Sequence, residues 1–233
     1  MSKEISQAPK DGISCLKFSP NDPMLLLCSS WDKSVTLYQD TDTIYSYQHK
    51  APVLDCCFSS DSTKIYSVGL DRTLKAVSIE TQTENLLGTH EDGISCVATD
   101  SSQELIVTGS WDSSVKLWDQ RIENPLINNL EQQGKVFSLD IFENMLVVAL
   151  SGRQIQIYDL RNTRETYQSK ESSLKYMTRK VACMTDGKGY ATSSIEGRVA
   201  IDFFDQSAES QALKFSFKCH RQKVNFFNYR WKK

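Results

Sequence analysis

Short apolar runs separated by turn-forming residues recur along the chain. Between residues 94 and 130 these runs are ISCVA, LIVTG, VKLW and LINNL, with DSS at 100–102 and WDSS at 111–114 between them. Alternating or short buried runs rich in Val and Ile predict strands, and no stretch keeps a period of 3.6 residues over three turns. The chain is therefore predicted to be all-β.

This four-strand unit repeats with a period near forty residues. The phrase GSWDSSVKLWD at 109–119 repeats SSWDKSVTLYQ at 29–39. The corresponding turn residues are Asp32, Asp71, Asp112, Gly152 and Glu196. The first strands of these five units are predicted to begin at Ile13, Val53, Ile94, Val136 and Val181, and the first strand of a sixth unit at Val224. Four strands per 40–45 residues indicate the blades of a WD-repeat β-propeller. We expect one domain over residues 1–233, with five complete blades and the first strand of a sixth, and thus a truncated or open ring.

Two pairs of His and Asp residues have the spacing of a structural network within such blades. His49 and Asp71 are 22 residues apart, as are His90 and Asp112. In the third unit, Thr108 and Trp118 supply two further hydrogen-bonding groups. A fully bonded buried network can fix a tight turn. We therefore predict that His49, Asp71, His90, Thr108, Asp112 and Trp118 are structural and not catalytic.

Composition narrows the classes of function. With 39% hydrophobic and 24% charged residues and no apolar run near 18 residues, the sequence predicts a soluble protein without a membrane span or secretory signal. The seven cysteines form no CxxC pair and lie mostly in apolar runs, and the three histidines are widely spaced, so we expect no disulfide, metal or other cofactor. The chain contains neither a GxSxG nor a GxxxxGK[ST] motif, and no enzymatic activity is expected.

Charge is distributed unevenly along the chain. Residues 1–150 contain 11 Lys and Arg against 21 Asp and Glu, whereas residues 151–233 contain 16 against 8. The C-terminal part is thus predicted to attract acidic ligands. The basic and aromatic tail RQKVNFFNYRWKK would also suit RNA, but the chain as a whole is slightly acidic, which argues against nucleic acid as the main partner.

Several motifs resemble a known family. ESSLKYMTR (171–179), SSIEGRVA (193–200) and FKCHR (217–221) resemble the WD-repeat spindle-checkpoint family called budding uninhibited by benzimidazole 3, and DGISCLKFSPN (11–21) and ENLLGTHED (84–92) fit the same family in order. A related family of messenger-RNA export and nuclear-pore WD proteins shares several of these motifs. The resemblance extends from about residue 9 to 223. It implies a seven-bladed propeller, in which a strand such as KEISQ (3–7) would close the ring against the last blade.

The resemblance also implies a function. Members of the checkpoint family act as non-enzymatic adaptors that bind a GLEBS-type segment of checkpoint kinases or pseudokinases and a phosphorylated Met-Glu-Leu-Thr motif of a kinetochore scaffold. We would then expect a monomer within a complex, in the nucleus and at kinetochores in mitosis. The alternative is a messenger-RNA export factor that binds a nuclear-pore subunit.

The candidate binding residues belong to the loops at one rim of the propeller. They are Trp31, Arg72, Trp111, Arg153, Lys175, Tyr176, Arg179 and Arg198. Arg179 and Arg198 match family positions that grip the phosphothreonine and nearby acidic residues, and a guanidinium suits this task because it donates two charge-assisted hydrogen bonds. Trp31 and Trp111 fit either a peptide hot spot or packing beneath neighbouring loops. Lys180, next to Arg179, stands where the resemblance leads us to expect Cys or Asp.

Overall fold

A computed structural model describes residues 4–5, 7–100 and 104–219. Within these ranges the chain forms five antiparallel sheets of four strands, each connected in sequence order from its first strand to its fourth. The all-β propeller fold predicted from the repeat is confirmed. The predicted strand at Val224 and His220 lie outside the described residues. Of the predicted closing strand at 3–7, Glu4, Ile5 and Gln7 are described, and none of them is in a strand.

We call the sheets blades 1 to 5, with these strand bounds. Blade 1 comprises β1 (Ile13–Phe18), β2 (Leu25–Ser30), β3 (Ser34–Gln39) and β4 (Asp42–Gln48). Blade 2 comprises β5 (Val53–Phe58), β6 (Lys64–Gly69), β7 (Thr73–Ser78) and β8 (Glu84–Thr89), and blade 3 comprises β9 (Ile94–Thr99), β10 (Ile106–Ser110), β11 (Ser114–Trp118) and β12 (Leu126–Glu131). Blade 4 comprises β13 (Val136–Phe142), β14 (Met145–Leu150), a 3₁₀ turn (Ser151–Arg153), β15 (Gln154–Asp159) and β16 (Gln168–Glu171). Blade 5 comprises β17 (Thr178–Cys183), β18 (Gly189–Ser194), β19 (Arg198–Phe203), the helix α1 (Ala208–Ala212) and β20 (Phe215–Lys218).

Most first strands begin where the sequence predicts, and two features of blade 5 differ from the prediction. β1, β5, β9 and β13 begin at the predicted residues, whereas β17 begins at Thr178, three residues before the predicted Val181. The short helix α1 was not predicted, because five residues are too few to show a helical period. Its N-cap is Ser207, whose side chain accepts a hydrogen bond from the Ser210 amide.

The first strands of the blades surround a common axis and hydrogen-bond directly to one another. Ser14 Oγ donates to the Val53 carbonyl over 2.8 Å, and Ser95 Oγ donates to the Val136 carbonyl over 2.7 Å. The Cys183 amide donates to Asp140 Oδ2 over 2.7 Å. Each of these bonds joins one blade to the next, so the first strands form the wall of a central channel.

Apolar side chains fill the space between neighbouring blades. Among the described residues, separate buried clusters lie between blades 1 and 2, 2 and 3, 3 and 4, and 4 and 5. All seven cysteines are free thiols, four of them buried. Burial raises the pKa of the Cys28 thiol to about 11 and that of Cys96 to about 12, so these thiols act as core residues and not as nucleophiles.

Turns between the second and third strands share one backbone geometry. The residue after the turn Asp adopts a left-handed conformation, with φ of 75° at Lys33, 65° at Arg72 and 66° at Ser113. Blade 5 places Gly197 there, with φ of 74°. These turns lie at the same end of the propeller, which we call the upper end, and they hold Trp31 and Trp111 beside the channel.

Candidate functional site

A β-bulge at the upper end of every first strand builds the mouth of the channel. In each blade the pairing of the first strand with the second shifts register once at this end. The extra residue projects toward the axis because it has no cross-strand partner. The five extra residues line one cavity of about 290 Å³, which we call the mouth cavity; they are Ser14, Leu54, Ser95, Phe137 and Arg179.

Two tryptophans complete the wall of the mouth cavity in different ways. Trp31 is 49% exposed and therefore free to contact a ligand. Trp111 packs beside Gly93 on one face, and the Lys135 ammonium lies 6.0 Å from its ring centroid. The sequence leaves packing and binding open for both indoles; both line the mouth cavity, so their role in binding stays a prediction.

Unused donors point to the chemistry that the mouth cavity can bind. Trp111 Nε1 and Thr178 Oγ1 are buried and lack a hydrogen-bond partner among the described residues. Both residues line the cavity together with Arg179, whose exposed guanidinium makes no ion pair or hydrogen bond within the described part of the chain. A cavity with apolar walls and an exposed, unpaired guanidinium suits an acceptor, such as a carboxylate, carried beside an apolar side chain.

A second cationic cavity lies farther from the axis, on blade 5. It has a volume of about 220 Å³ and is lined by Ser173, Leu174, Lys175, Glu196, Arg198 and Ser216. Arg198 Nε is 3.6 Å from Glu196 Oε1, and Lys218 lies directly opposite Arg198 in the β19–β20 pair. We call this the blade 5 cavity. The sequence does not mark Lys218, which lies within FKCHR, as a site residue, because cross-strand register does not follow from spacing alone.

The segment 172–177 connects the two cavities along the upper surface. Leu174 is buried and anchors the segment, whereas Tyr176 and Met177 are exposed. Arg153 supports it from below, since its Nη1 donates to the Leu174 carbonyl over 3.2 Å and its Nη2 pairs with Glu171. The geometry thus gives Arg153, a predicted ligand contact, a supporting position.

The eight predicted contact residues do not form one cluster. Trp31, Trp111 and Arg179 line the mouth cavity, while Lys175 and Arg198 line the blade 5 cavity. Tyr176 lies on the segment between them. Arg72 lines neither cavity, and its Nη1 lies 3.4 Å from the Glu91 carbonyl.

The polar residues predicted to be structural form two hydrogen-bonded chains. In blade 3, His90 Nδ1 lies 2.9 Å from Asp112 Oδ2 and His90 Nε2 lies 2.8 Å from Thr108 Oγ1, which also accepts the Trp118 indole N–H over 2.8 Å. Burial lowers the pKa of His90, so the imidazole is neutral at physiological pH.

The second chain uses a tyrosine from β4 of blade 1 in place of the tryptophan. His49 lies 2.8 Å from both Asp71 Oδ2 and Ser67 Oγ, and Tyr47 donates its hydroxyl to the same Ser67 Oγ over 2.8 Å. Burial opposes ionisation of Asp71, but hydrogen bonds from His49 and Thr73 outweigh it and lower the pKa of Asp71 to about 2. The Asp71 and Asp112 carboxylates are thus both hydrogen-bonded within the propeller scaffold.

The described residues were also compared with the requirements of a metal site and of a membrane-spanning helix. Among residues 4–5, 7–100 and 104–219, no three His, Cys, Asp or Glu side chains are grouped so that they could hold a metal ion. In the same ranges no helix has the length and hydropathy needed to cross a membrane.

Comparison with known proteins places the chain in a family. The WD domain, G-beta repeat, matches residues 3–39, 41–76 and 81–119. The chain is 45% identical over 226 residues to mitotic checkpoint protein BUB3.1 of Arabidopsis thaliana, covering 94% of this chain and 66% of the relative. It is 34% identical over 224 residues to the spindle assembly checkpoint protein bub3 of Schizosaccharomyces pombe, covering 95% of this chain and 69% of the relative. The chain belongs to the Bub3 family of WD-repeat proteins.

The related export proteins match as well. The chain is 36% identical over 228 residues to the mRNA export factor GLE2 of Chaetomium thermophilum, covering 94% of this chain and 63% of the relative. The Bub3-family chain described here therefore spans about two thirds of the length of these relatives.

Proposed function

We propose that this chain is a non-enzymatic adaptor of the spindle-assembly checkpoint. In this proposal it acts as a monomer within a complex, in the nucleus and at kinetochores during mitosis. One ligand is a GLEBS-type segment of a checkpoint kinase or pseudokinase, and the other is a phosphorylated Met-Glu-Leu-Thr motif of a kinetochore scaffold. Relatives that are named as mitotic checkpoint proteins support this function.

The observation that carries the proposal is the pair of cationic cavities at one end of the propeller. The mouth cavity supplies Arg179 within apolar and indole walls, and the blade 5 cavity supplies Arg198 beside Lys175. An extended peptide that follows segment 172–177 would meet both. Arg198 would bind the phosphate, with Lys218 on the neighbouring strand, and Arg179 would bind a nearby carboxylate.

The test is the double variant Arg179→Ala with Arg198→Ala. Each guanidinium hydrogen bond to a charged group contributes about 1.5–3 kcal/mol, so removal of both should weaken binding of a phosphorylated Met-Glu-Leu-Thr peptide by about 100-fold or more. Isothermal titration calorimetry measures the affinity, and the thermal unfolding midpoint should stay within a few degrees of the parent.

A matched control is Arg161→Ala. Arg161 is an exposed arginine that pairs with Asp159 and lines neither cavity, so its removal should leave peptide affinity unchanged. The unphosphorylated peptide serves as the ligand control. Undiminished affinity in the double variant would remove both arginines from the site.

The alternative function is messenger-RNA export through a nuclear-pore subunit. Relatives named mRNA export factor GLE2 and Poly(A)+ RNA export protein, both 36% identical to this chain, favour it. Affinity purification from cell extract, with identification of the captured partners, separates the two functions. A checkpoint kinase supports the first, whereas recovery of nuclear-pore subunits alone, with salt-dependent binding of unstructured RNA, would favour export.

A further inference from the structure

The residue that follows the bulge has a defined bonding role in several blades. In blade 2, Asp55 Oδ2 accepts the Val97 amide of blade 3 over 3.2 Å. In blade 4, Ser138 Oγ accepts the Val181 amide of blade 5 over 3.1 Å. Both side chains are acceptors, and each joins its blade to the next. The same position in blade 5 is Lys180, whose ammonium has three donors and no acceptor.

Lys180 instead reaches across the channel. Its Nζ lies 3.7 Å from Asp55 Oδ2, in a cavity of about 280 Å³ below the mouth that both residues line. The Asp55 side chain is 5% exposed, and its second oxygen accepts the Cys56 amide over 3.1 Å. The Lys180 side chain is 53% exposed, so solvent reaches one partner of this ion pair and screens it in part.

The environment of Lys180 favours its charged form. Burial opposes the charge of Lys180, but the Asp55 carboxylate outweighs it and raises the pKa of the ammonium above its usual value. The Asp140 carboxylate acts in the same direction. The pair therefore links blade 5 to blade 2, which are not neighbours, through the interior of the channel.

Arg179 directly precedes Lys180 in the bulge. Thr178 is buried on one side of it, and the guanidinium has no partner of its own among the described residues. As the unpaired residue of the bulge, Arg179 also lacks a cross-strand partner. We propose that Lys180, tied to Asp55 across the channel, is a positioning residue that holds the bulge so that Arg179 projects into the mouth cavity. This inference rests on the proposed function, in which Arg179 binds a carboxylate or phosphate.

Substitution of Asp55 separates a positioning role of the ion pair from an effect of its charges on the ligand. Asp55→Asn removes the negative charge and keeps one oxygen that can accept the Val97 amide, whereas the amide nitrogen that replaces the other oxygen no longer accepts the Cys56 amide. If the channel charges acted only through their field, losing a negative charge would tighten binding of an acidic peptide. If the tie positions Arg179, Asp55→Asn should weaken binding of the phosphorylated Met-Glu-Leu-Thr peptide about threefold to tenfold, the size of a typical coupling between contacting residues.

The Lys180 variants complete a double-mutant cycle. Lys180→Met should weaken the same peptide to a similar extent, Lys180→Arg should restore affinity to within about twofold, and Asp55→Asn combined with Lys180→Met should be no weaker than Lys180→Met alone. The matched control Lys188→Met removes an equivalent charge from an exposed lysine paired with Asp186 and should not change affinity. Titration calorimetry measures all five proteins beside the parent.

The outcomes distinguish this inference from the proposed function. A parent protein that does not bind the peptide contradicts the proposed function. The same double-mutant cycle, measured by thermal unfolding, then still tests the Lys180–Asp55 interaction. Additive effects of Asp55→Asn and Lys180→Met on stability would show that the two residues do not interact. A parent that binds while Asp55→Asn binds equally well or more tightly overturns the positioning role and leaves the proposed function standing.

Discussion

Blades 3 and 5 have the same strand architecture but differ in how they treat buried polar groups. In blade 3, Thr108 Oγ1 contacts both the His90 imidazole and the Trp118 indole, and Asp112 completes the chain. Blade 5 places Leu174 and Glu196 at the matching spacing of 22 residues, with Thr192 in the place of Thr108. The buried hydroxyls of Thr178, Thr192 and Ser194 lack hydrogen-bond partners in the described part of the chain.

This difference shows that the residues that form the sheet of a blade are distinct from those that fix its turn. Both blades form four antiparallel strands with a bulge in the first, so the apolar pattern suffices for the sheet. The polar chain adds a defined turn, at the cost of buried groups that must all be bonded. Blade 5 lacks this chain, and its upper surface carries Lys175 and Arg198, which we propose bind a ligand. Functional sites commonly break a local rule that the rest of a fold obeys.

The largest effect on stability is expected when His90 of blade 3 is replaced by leucine, the residue at the matching position of blade 5, Leu174. His90→Leu removes the shared partner of Asp112 and Thr108 and places an apolar side chain beside a buried carboxylate. Each buried group left short of a hydrogen bond costs about 1–3 kcal/mol, so the free energy of unfolding should fall by about 2–4 kcal/mol in urea titrations.

The control for this change lies in blade 5. Leu174→Met conserves volume at the matching position and should cost less than about 1.5 kcal/mol. Equal losses in the two variants would mean that the position, and not the polar chain, determines stability.

A matched pair of isosteric changes gives an intermediate effect. Thr108→Val removes the hydroxyl that bonds both His90 and Trp118 and should cost about 1–2 kcal/mol. Thr192→Val removes a buried hydroxyl without a partner, so it should be neutral or stabilising by up to about 1 kcal/mol. Chemical denaturation of both variants checks the pair, and a loss at Thr192 as large as that at Thr108 would contradict the comparison.

Much of the architecture could be predicted from the sequence because it follows from periodicity. Strand alternation and the recurring turn residues place most strands within a few residues, and the 22-residue spacing selects His49 with Asp71 and His90 with Asp112. The role of Gly88 becomes clear only from the structure. A methyl group there would lie 2.2 Å from the Trp118 ring, so the glycine that precedes Thr89 and His90 makes room for that indole.

The site was less predictable, because its geometry depends on register and on contacts between distant blades. Five bulges bring Arg179 and Leu54 into one cavity, and no local pattern marks a bulge. Lys218 faces Arg198 only through strand pairing. Lys180 was noticed as a departure from the family, but its partner Asp55 is 125 positions away, and only the folded channel joins them.

The smallest predicted effect concerns acid, and it again divides blade 3 from blade 5. Because burial lowers the pKa of His90 in the fold, the unfolded chain binds a proton at this residue more readily than the native protein does. The stability that His90 contributes is therefore complete above its unfolded pKa of about 6.5 and declines as the pH falls below that value. Asp112, whose pKa is lowered by Ser114 and Glu91 hydrogen bonds against the effect of burial, adds a loss below about pH 4.

Thermal unfolding at pH 7, 6 and 5 tests the first of these windows. The parent should lose stability over this range, and His90→Leu, which has no proton to gain at that position, should show a shallower slope from its lower starting point. Thr192→Val should keep the parental slope, because it changes no titrating group. If His90→Leu retained the full slope of the parent, the acid sensitivity would originate outside the polar chain of blade 3, and the contrast between the two blades would rest on hydrogen bonding alone.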